Sequence, residues 1–194
     1  PVRQILMPHQ KEVTTEARAA VQEMLDPLGE RKPENRKAER IVHRYSDRVL
    51  FLLTDLCSVY CRYCTRKHFT GKDHASVNQR ELQEALDYIR AHPGVREVIF
   101  SGGDPLTLSD SILDRVISEV RSIEHIEVIR VHSRMPVVCP MRITDNLVQI
   151  FKKNKPVYLI THFNHPKEIT LDAAEAVEKL VDNGVPVLNQ MVLL

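Results

Sequence analysis

The sequence predicts an α/β protein made of repeated βα units around a parallel sheet. Three observations carry this. From Val49 onward, short β-branched runs alternate with amphipathic segments; the alternation continues through five strand-like and four helix-like runs; and each helical run closes on Pro, Gly or a charged turn. Parallel strands need long crossover connections, and helical segments of about 10–15 residues supply them.

Taken in order, residues 1 to about 40 read as an N-terminal helical extension and charged linker. Within it, TTEARAAVQEMLDPL places apolar residues near helical spacing and stops at Pro27 and Gly29. The following GERKPENRKAER is nearly all charge and reads as a solvated linker wrapping the surface. Residues 41–194 form the core. The strand VLFLLT leads to the helix NQRELQEALDYIRAHP, VREVIFS to SDSILDRVISEVRSI, HIEVIRVHS to TDNLVQIFKKN, and KPVYLITHF to TLDAAEAVEKLVDNG. The fifth strand, VPVLNQMVLL, stays apolar to Leu194, which predicts a truncated chain with further strands to follow.

Composition narrows the function classes. A length of 194 residues with 43% hydrophobic content suits one packed domain. Lys and Arg number 27 against 26 Asp and Glu, so no basic excess recommends nucleic acid or an anionic membrane. No apolar run approaches the ~18 residues needed to span a bilayer, and the N-terminus lacks a secretory h-region. A cytoplasmic location is expected. Of the four cysteines, three fall within eight residues, which suits metal or cluster binding in a reducing compartment better than a disulfide framework.

Right-handed crossovers put all parallel strand C-termini on one edge, the usual place for an active site in barrel or open α/β folds. The chemistry-bearing residues sit there, at 55–64, 101–104, 132–134, 161–165 and 189–190. Cys57, Cys61 and Cys64 form a C-x3-C-x2-C run directly after the first core strand. Three thiolates cannot saturate a four-iron cubane, so one iron would keep an open position for a small chelating molecule. Tyr63 supplies an aromatic wall. The rival reading is a zinc knuckle completed by His68, making an interaction module rather than an enzyme. Ser101, Gly102, Gly103 and Asp104 follow the second core strand, where residues without side chains let backbone approach a ligand closely; a plain tight βα turn is the alternative. Cys139, between Val138 and Pro140, reads as a small buried hydrophobe.

These residues resemble the radical S-adenosylmethionine (SAM) superfamily, whose signature is C-x3-C-x-aromatic-C followed by a GGE-like strand end. The resemblance is closer still to the lysine 2,3-aminomutase family, through RYSDRVLFLLTDLCSVYCRYCTRKHFTGK, SGGDPL, SRMPVV, THFNHPKEIT and GVPVLNQMVLL. Asp104 stands where the superfamily more often has Glu. The resemblance implies a partial parallel (βα) barrel of the radical SAM type, with SAM chelating the open iron of a [4Fe–4S] cluster and yielding a 5′-deoxyadenosyl radical. It also implies pyridoxal 5′-phosphate (PLP) holding the substrate amine while nitrogen migrates between neighbouring carbons.

Carried over residue by residue, Cys57, Cys61 and Cys64 would ligate the cluster. Tyr63, Ser101, Gly102, Gly103, Asp104, His132, Ser133, His162 and Gln190 would surround SAM. Arg44, Tyr45 and Arg48 would meet PLP, the arginines through its phosphate. Arg66 would bind the substrate carboxylate, or alternatively serve as a counter-charge to the thiolates. The implied partners are an amino acid substrate and an external one-electron reductant of the flavodoxin or ferredoxin type, with homo-oligomerisation left open. L-Lysine to L-β-lysine is the leading reaction; glutamate and a lysine carried by a translation factor are alternatives within the family, and a PLP-independent radical SAM enzyme is the alternative outside it. The family's PLP lysine matches no lysine in this chain and is expected beyond Leu194.

Overall fold

The computed structural model describes residues 2–7, 25–72 and 75–192. Among them one sheet of seven strands runs in chain order: β1 (Arg36–Ala38), β2 (Ile41–Tyr45), β3 (Arg48–Thr54), β4 (Glu97–Gly102), β5 (Val128–His132), β6 (Val157–Thr161) and β7 (Val187–Asn189). Strands β3 to β7 are parallel, and β1 and β2 join antiparallel at one end. Sequential order without a reversal is that of a barrel wall; a doubly wound sheet would turn back on itself. The sheet is not closed, with β1 at one end and β7 at the other.

The crossovers are the helices α2 (Gln79–Arg90), α3 (Asp110–Arg121), α5 (Asp145–Lys153) and α6 (Leu171–Asp182), each started by a side-chain cap from Asn78, Ser109, Thr144 and Thr170 respectively. Asn78 and Glu81 form a reciprocal capping box. Two short helices, α1 (Val2–Leu6) and α4 (Met135–Val138), flank the sheet edge that carries the cysteines and the end of β5. The five core strands and four crossovers therefore stand where hydrophobic periodicity places them.

Alternation along β3 divides its residues between two environments. Val49, Phe51 and Leu53 are buried, whereas Arg48, Leu50 and Leu52 are half-buried. Phe51 and Phe100 meet edge-to-face at 5.9 Å in the core formed with Leu86, Ile89, Leu113, Ile117, Leu147 and Phe151. Each such fully buried side chain contributes about 1.5–3 kcal/mol. The other face of β3 and β4 carries Leu50 and Ile99 into a cavity.

The N-terminal region departs from expectation. The helical stretch at 14–28 lies mostly outside the described residues. The charged segment at 29–40 is mostly exposed, as expected of a surface-wrapping stretch, but it also supplies β1 and two of its charges are pinned. Glu30 is only 7% exposed and pairs with Arg66, while Arg40 Nη2 lies 3.1 Å from the Oε2 of buried Glu81. Asp26 fixes the preceding turn by accepting the Glu30 and Arg31 amides at 2.9 and 2.8 Å. Local charge density hid this because the partners lie 36 residues or more away in sequence.

Candidate active site

A cavity of about 540 Å³ opens at the C-terminal ends of the parallel strands. Cys57, Cys61 and Cys64 line it together with Tyr63, Arg66 and the run Ser101, Gly102, Gly103 and Asp104. His132 and Ser133 from the end of β5, and His162 and Gln190 beyond β6 and β7, complete that side. Arg44, Tyr45 and Arg48, from the β2–β3 hairpin, line the same cavity. Every residue expected to meet the cluster, SAM, PLP or substrate thus lines one space, although the residues come from segments spread over nearly 150 positions, whereas His68 and Cys139 do not line it.

The cysteine loop is held by backbone. The Thr54 hydroxyl accepts the Leu56 amide at 3.1 Å, the Cys64 amide donates to Cys61 O at 3.0 Å, and the Gly71 amide closes the loop onto Asp55 O at 2.7 Å. From β4, Gly103 and Asp104 donate their amides to Thr54 O and Leu56 O at 2.6 and 2.7 Å. The two glycines permit that contact. A Cβ at Gly102, whose φ is +109°, would stand 2.4 Å from Thr54 O, and one at Gly103 would stand 2.1 Å from Leu56 O. The close approach that the glycines serve is therefore, in the first instance, to the cysteine loop itself. α1 abuts the loop as well, with Ile5 O accepting the Arg62 amide at 3.0 Å.

Burial holds the Cys57 and Cys64 thiols in the neutral form. Burial, reinforced by the nearby Asp104, Cys64 and Cys61 groups, pushes the Cys57 thiol up to about 12, and burial likewise raises Cys64. Buried thiols of this kind ionise when a cation coordinates them. The three thiols face one cavity, yet among the described residues no three His, Cys, Asp or Glu side chains converge closely enough to hold a single metal ion. Three thiols around one cavity are a donor set for an iron–sulfur cluster, and His68, which would complete a zinc tetrahedron, is not among the cavity's lining residues.

Two arginines flank the sulfurs. Arg66 gives Nε and Nη2 to the Glu30 carboxylate at 2.6 and 2.7 Å and Nη1 to Ser101 Oγ at 2.9 Å. Arg134, whose side chain is 6% exposed, gives Nη1 to Cys61 Sγ at 3.0 Å and Nη2 to Glu168 at 2.5 Å. Asp104 is turned inward: its carboxylate accepts the Leu106 and Arg134 amides at 3.0 and 2.9 Å, and burial raises its pKa. Through these bonds it ties β4 to the end of β5, and its carboxylate is engaged by protein amides.

The histidines differ from one another. His162 Nδ1 pairs with Gln190 O at 2.6 Å, and burial lowers its pKa. Burial, helped by Arg130, His162 and Arg66, brings His132 down to about 3, so its imidazole is neutral at ordinary pH. His132 Nε2 is buried without a hydrogen-bond partner among the described residues, and His132 lines the cavity.

At the cavity mouth Tyr45 is 60% exposed, with the Arg44 and Arg48 guanidinium carbons 5.9 and 5.4 Å from its ring centroid. Asp47 holds Arg48 at 2.9 and 2.8 Å. Two guanidinium groups beside an open aromatic face suit a phosphate carried on a planar ring. Sequence reasoning missed two participants and the contact made by a third. Glu30 was hidden in a charge run, and Glu168 has no local signal. The sequence places Arg134, with His132 and Ser133, among the polar groups where the adenosine or methionine part of SAM should lie, but its contact with Cys61 was not foreseen.

Comparison with known proteins gives a consistent result. The Radical SAM superfamily model matches residues 51–194. An L-lysine 2,3-aminomutase of Methanococcus maripaludis is 50% identical over 172 residues, covering 89% of this chain and 39% of that protein. That of Clostridium subterminale is 46% identical over 194 residues, 100% of this chain and 45% of that protein. A glutamate 2,3-aminomutase of Clostridioides difficile is 41% identical over the same length, 44% of that protein. The chain therefore spans less than half the length of these relatives. With three cavity-facing cysteines after β3, a glycine-rich clamp after β4 and a family match across both, the chain belongs to the radical SAM superfamily.

Proposed function

We propose that this chain forms the cluster- and SAM-binding part of an amino acid 2,3-aminomutase, with L-lysine to L-β-lysine as the reaction. The observation that carries the reading is the meeting of the cysteine loop, Arg66 and the Arg44–Tyr45–Arg48 hairpin in one cavity. The cysteine loop would hold a [4Fe–4S] cluster, which would supply the electron for SAM cleavage, and the hairpin would hold PLP, which would supply a carbonyl for the substrate amine.

The chain's own residues bind and orient. Cys57, Cys61 and Cys64 would hold the cluster through three thiolates, one fewer than a four-iron cubane has metal atoms. The Gly102–Gly103 clamp fixes the loop that carries them, and Tyr63, Ser133, His162 and Gln190 wall the SAM space. Neutral His132 offers a hydrogen bond without adding charge. Arg44 and Arg48 meet the PLP phosphate beside the Tyr45 ring. Arg66, held along its Nε–Nη2 side by Glu30 and at Nη1 by Ser101, would meet the substrate carboxylate through its remaining Nη hydrogens. Val42, Leu50, Val59 and Ile99 make the cavity wall apolar and limit water beside a reactive radical.

A one-electron reductant of the flavodoxin or ferredoxin type completes the requirements, and the free cysteines fit a reducing cytoplasm. Among the described residues no helix is long and apolar enough to cross a membrane. Glutamate is the second substrate reading, since a glutamate 2,3-aminomutase matches all 194 residues of this chain over 44% of its own length. The test is anaerobic reconstitution of a full-length preparation, matching the relatives in length, with iron, sulfide, SAM and PLP, followed by dithionite and chromatography of β-amino acids. β-Lysine from lysine is the expected product. β-Glutamate alone would transfer the assignment to glutamate, and formation of 5′-deoxyadenosine with neither β-amino acid would end the aminomutase reading.

A further inference from the structure

We infer that Arg134 is a positioning residue for the iron–sulfur cluster, donating a charged hydrogen bond to the Cys61 ligand sulfur and raising the cluster's reduction potential, with Glu168 as its buried counterweight. The inference rests on the cluster reading of Cys57, Cys61 and Cys64 and goes beyond it, because it concerns how readily the cluster accepts its electron.

The geometry is specific. Arg134 begins the turn after β5, 73 residues from Cys61, yet Nη1 lies 3.0 Å from Cys61 Sγ. The guanidinium is locked on its remaining sides: Nη2 bonds Glu168 Oε1 at 2.5 Å, Nε reaches His162 O at 3.4 Å, and the Tyr63 ring centroid lies 5.8 Å from Cζ. Its backbone amide is tied to Asp104 Oδ2 at 2.9 Å, so the residue is fixed at both ends. Glu168 is anchored in turn, its Oε2 accepting the Asn164 and His165 amides at 2.7 and 3.3 Å. The two side chains are 6% and 5% exposed. Charges held this far from water act on a neighbour with little screening.

The sulfurs are not treated alike. Cys64 Sγ accepts the neutral backbone amide of Arg66 at 3.3 Å, whereas Cys61 Sγ receives a guanidinium that is charged at every working pH. Reduction adds one negative charge to a cluster that already carries thiolates. A cationic donor on a ligand sulfur favours that reduced form, and hydrogen bonds to sulfur are among the main levers a protein has on such potentials. Glu168 acts in the opposite sense. A buried ion pair placed with its cation toward the sulfur and its anion behind thus sets the potential through two groups of opposite sign.

The test is a dye-mediated titration of the anaerobically reconstituted protein without SAM, read by the EPR signal of the reduced cluster. Arg134→Gln is expected to move the midpoint to more negative potential, Arg134→Lys by less, and Glu168→Gln to more positive potential. Opposite shifts from adjacent residues are the signature of charge, since a merely structural disturbance would change cluster content or move both variants one way. Shifts of the same sign, or unchanged midpoints with a full cluster complement, would overturn the inference while leaving the cluster reading intact. If Arg134→Gln fails to hold a cluster, the Arg134→Lys and Glu168→Gln midpoints decide. Failure of the unsubstituted protein to assemble any [4Fe–4S] cluster would remove the cluster reading, and this inference with it.

Discussion

Arg66 and Glu30 form a two-bond ion pair, at 2.6 and 2.7 Å, between the cysteine loop and a segment that precedes the sheet. Glu30 is 8% and Arg66 19% exposed at the side chain, so neither charge is well solvated. Breaking such a pair from one side leaves the other charge buried and alone. Arg66→Ala should destabilise the fold by about 3 kcal/mol, and the double variant Arg66→Ala/Glu30→Ala by clearly less. Urea unfolding of the four proteins in the cycle measures this, and additive losses would show that the pair is not coupled. In the loaded protein Arg66→Ala should also weaken amino acid binding while cluster content and SAM cleavage persist; unchanged affinity would remove Arg66 from the carboxylate role.

The Gly103 clamp makes a prediction about shape alone. A methyl group there would stand 2.1 Å from Leu56 O and 2.7 Å from Asp55 C, both backbone atoms that cannot swing aside. Gly103→Ala should therefore push the cysteine loop off β4, at a cost of about 2–3 kcal/mol and with a fall in bound iron. Gly94→Ala is the matched control, because its nearest contact, Ser46 O at 3.4 Å, is an ordinary one. Equal iron content in the two variants would contradict the clamp.

Much of this was legible in the chain because it is periodic or local. The strands from VLFLLT to VPVLNQ and the capped helices between them announce themselves by spacing, and the cysteine triplet and SGGD by proximity to strand ends. What escaped was non-local. The hairpin strand IVHRY is short and half exposed, so alternation gives it little contrast. Glu30, Arg134 and Glu168 matter through partners 36, 73 and 34 residues away. The glycines were legible as a close approach, but the surface approached, the carbonyls of residues 54 and 56, becomes visible only when β4 lies beside β3.

His132 sets an acid limit on stability. Its pKa is brought down to about 3 in the fold from 6.5, so between these values the unfolded chain takes up a proton that the folded chain refuses. Stability is therefore fully present above about pH 6.5 and is lost as pH falls toward 3, by about 3 kcal/mol at pH 4.5. His162 and His43, also lowered, add to the loss in the same direction. His132→Gln should flatten the decline between pH 6.5 and 4.5 without abolishing it. The measurement is the urea midpoint of the metal-free protein against pH, and an unchanged slope in His132→Gln would refute the assignment.

Cysteine replacement separates ligands from bystanders. Cys57, Cys61 and Cys64 face the cavity, whereas Cys139 is turned to Met141, with Sγ 3.2 Å from Sδ, and is not among the cavity's lining residues. Loss of one ligand leaves two thiolates for a four-iron cluster, and an iron deprived of its sulfur is exposed to solvent and lost. Cys57→Ala, Cys61→Ala and Cys64→Ala should each bind little iron and cleave no SAM after anaerobic reconstitution. Cys139→Ala should match the parent in iron, sulfide and SAM cleavage. A cluster lost on replacing Cys139 would mean a fourth protein thiolate, and four thiolates would leave no iron free for SAM. The iron-to-protein ratio of this single variant thus bears directly on whether the open coordination position, on which SAM cleavage depends, exists.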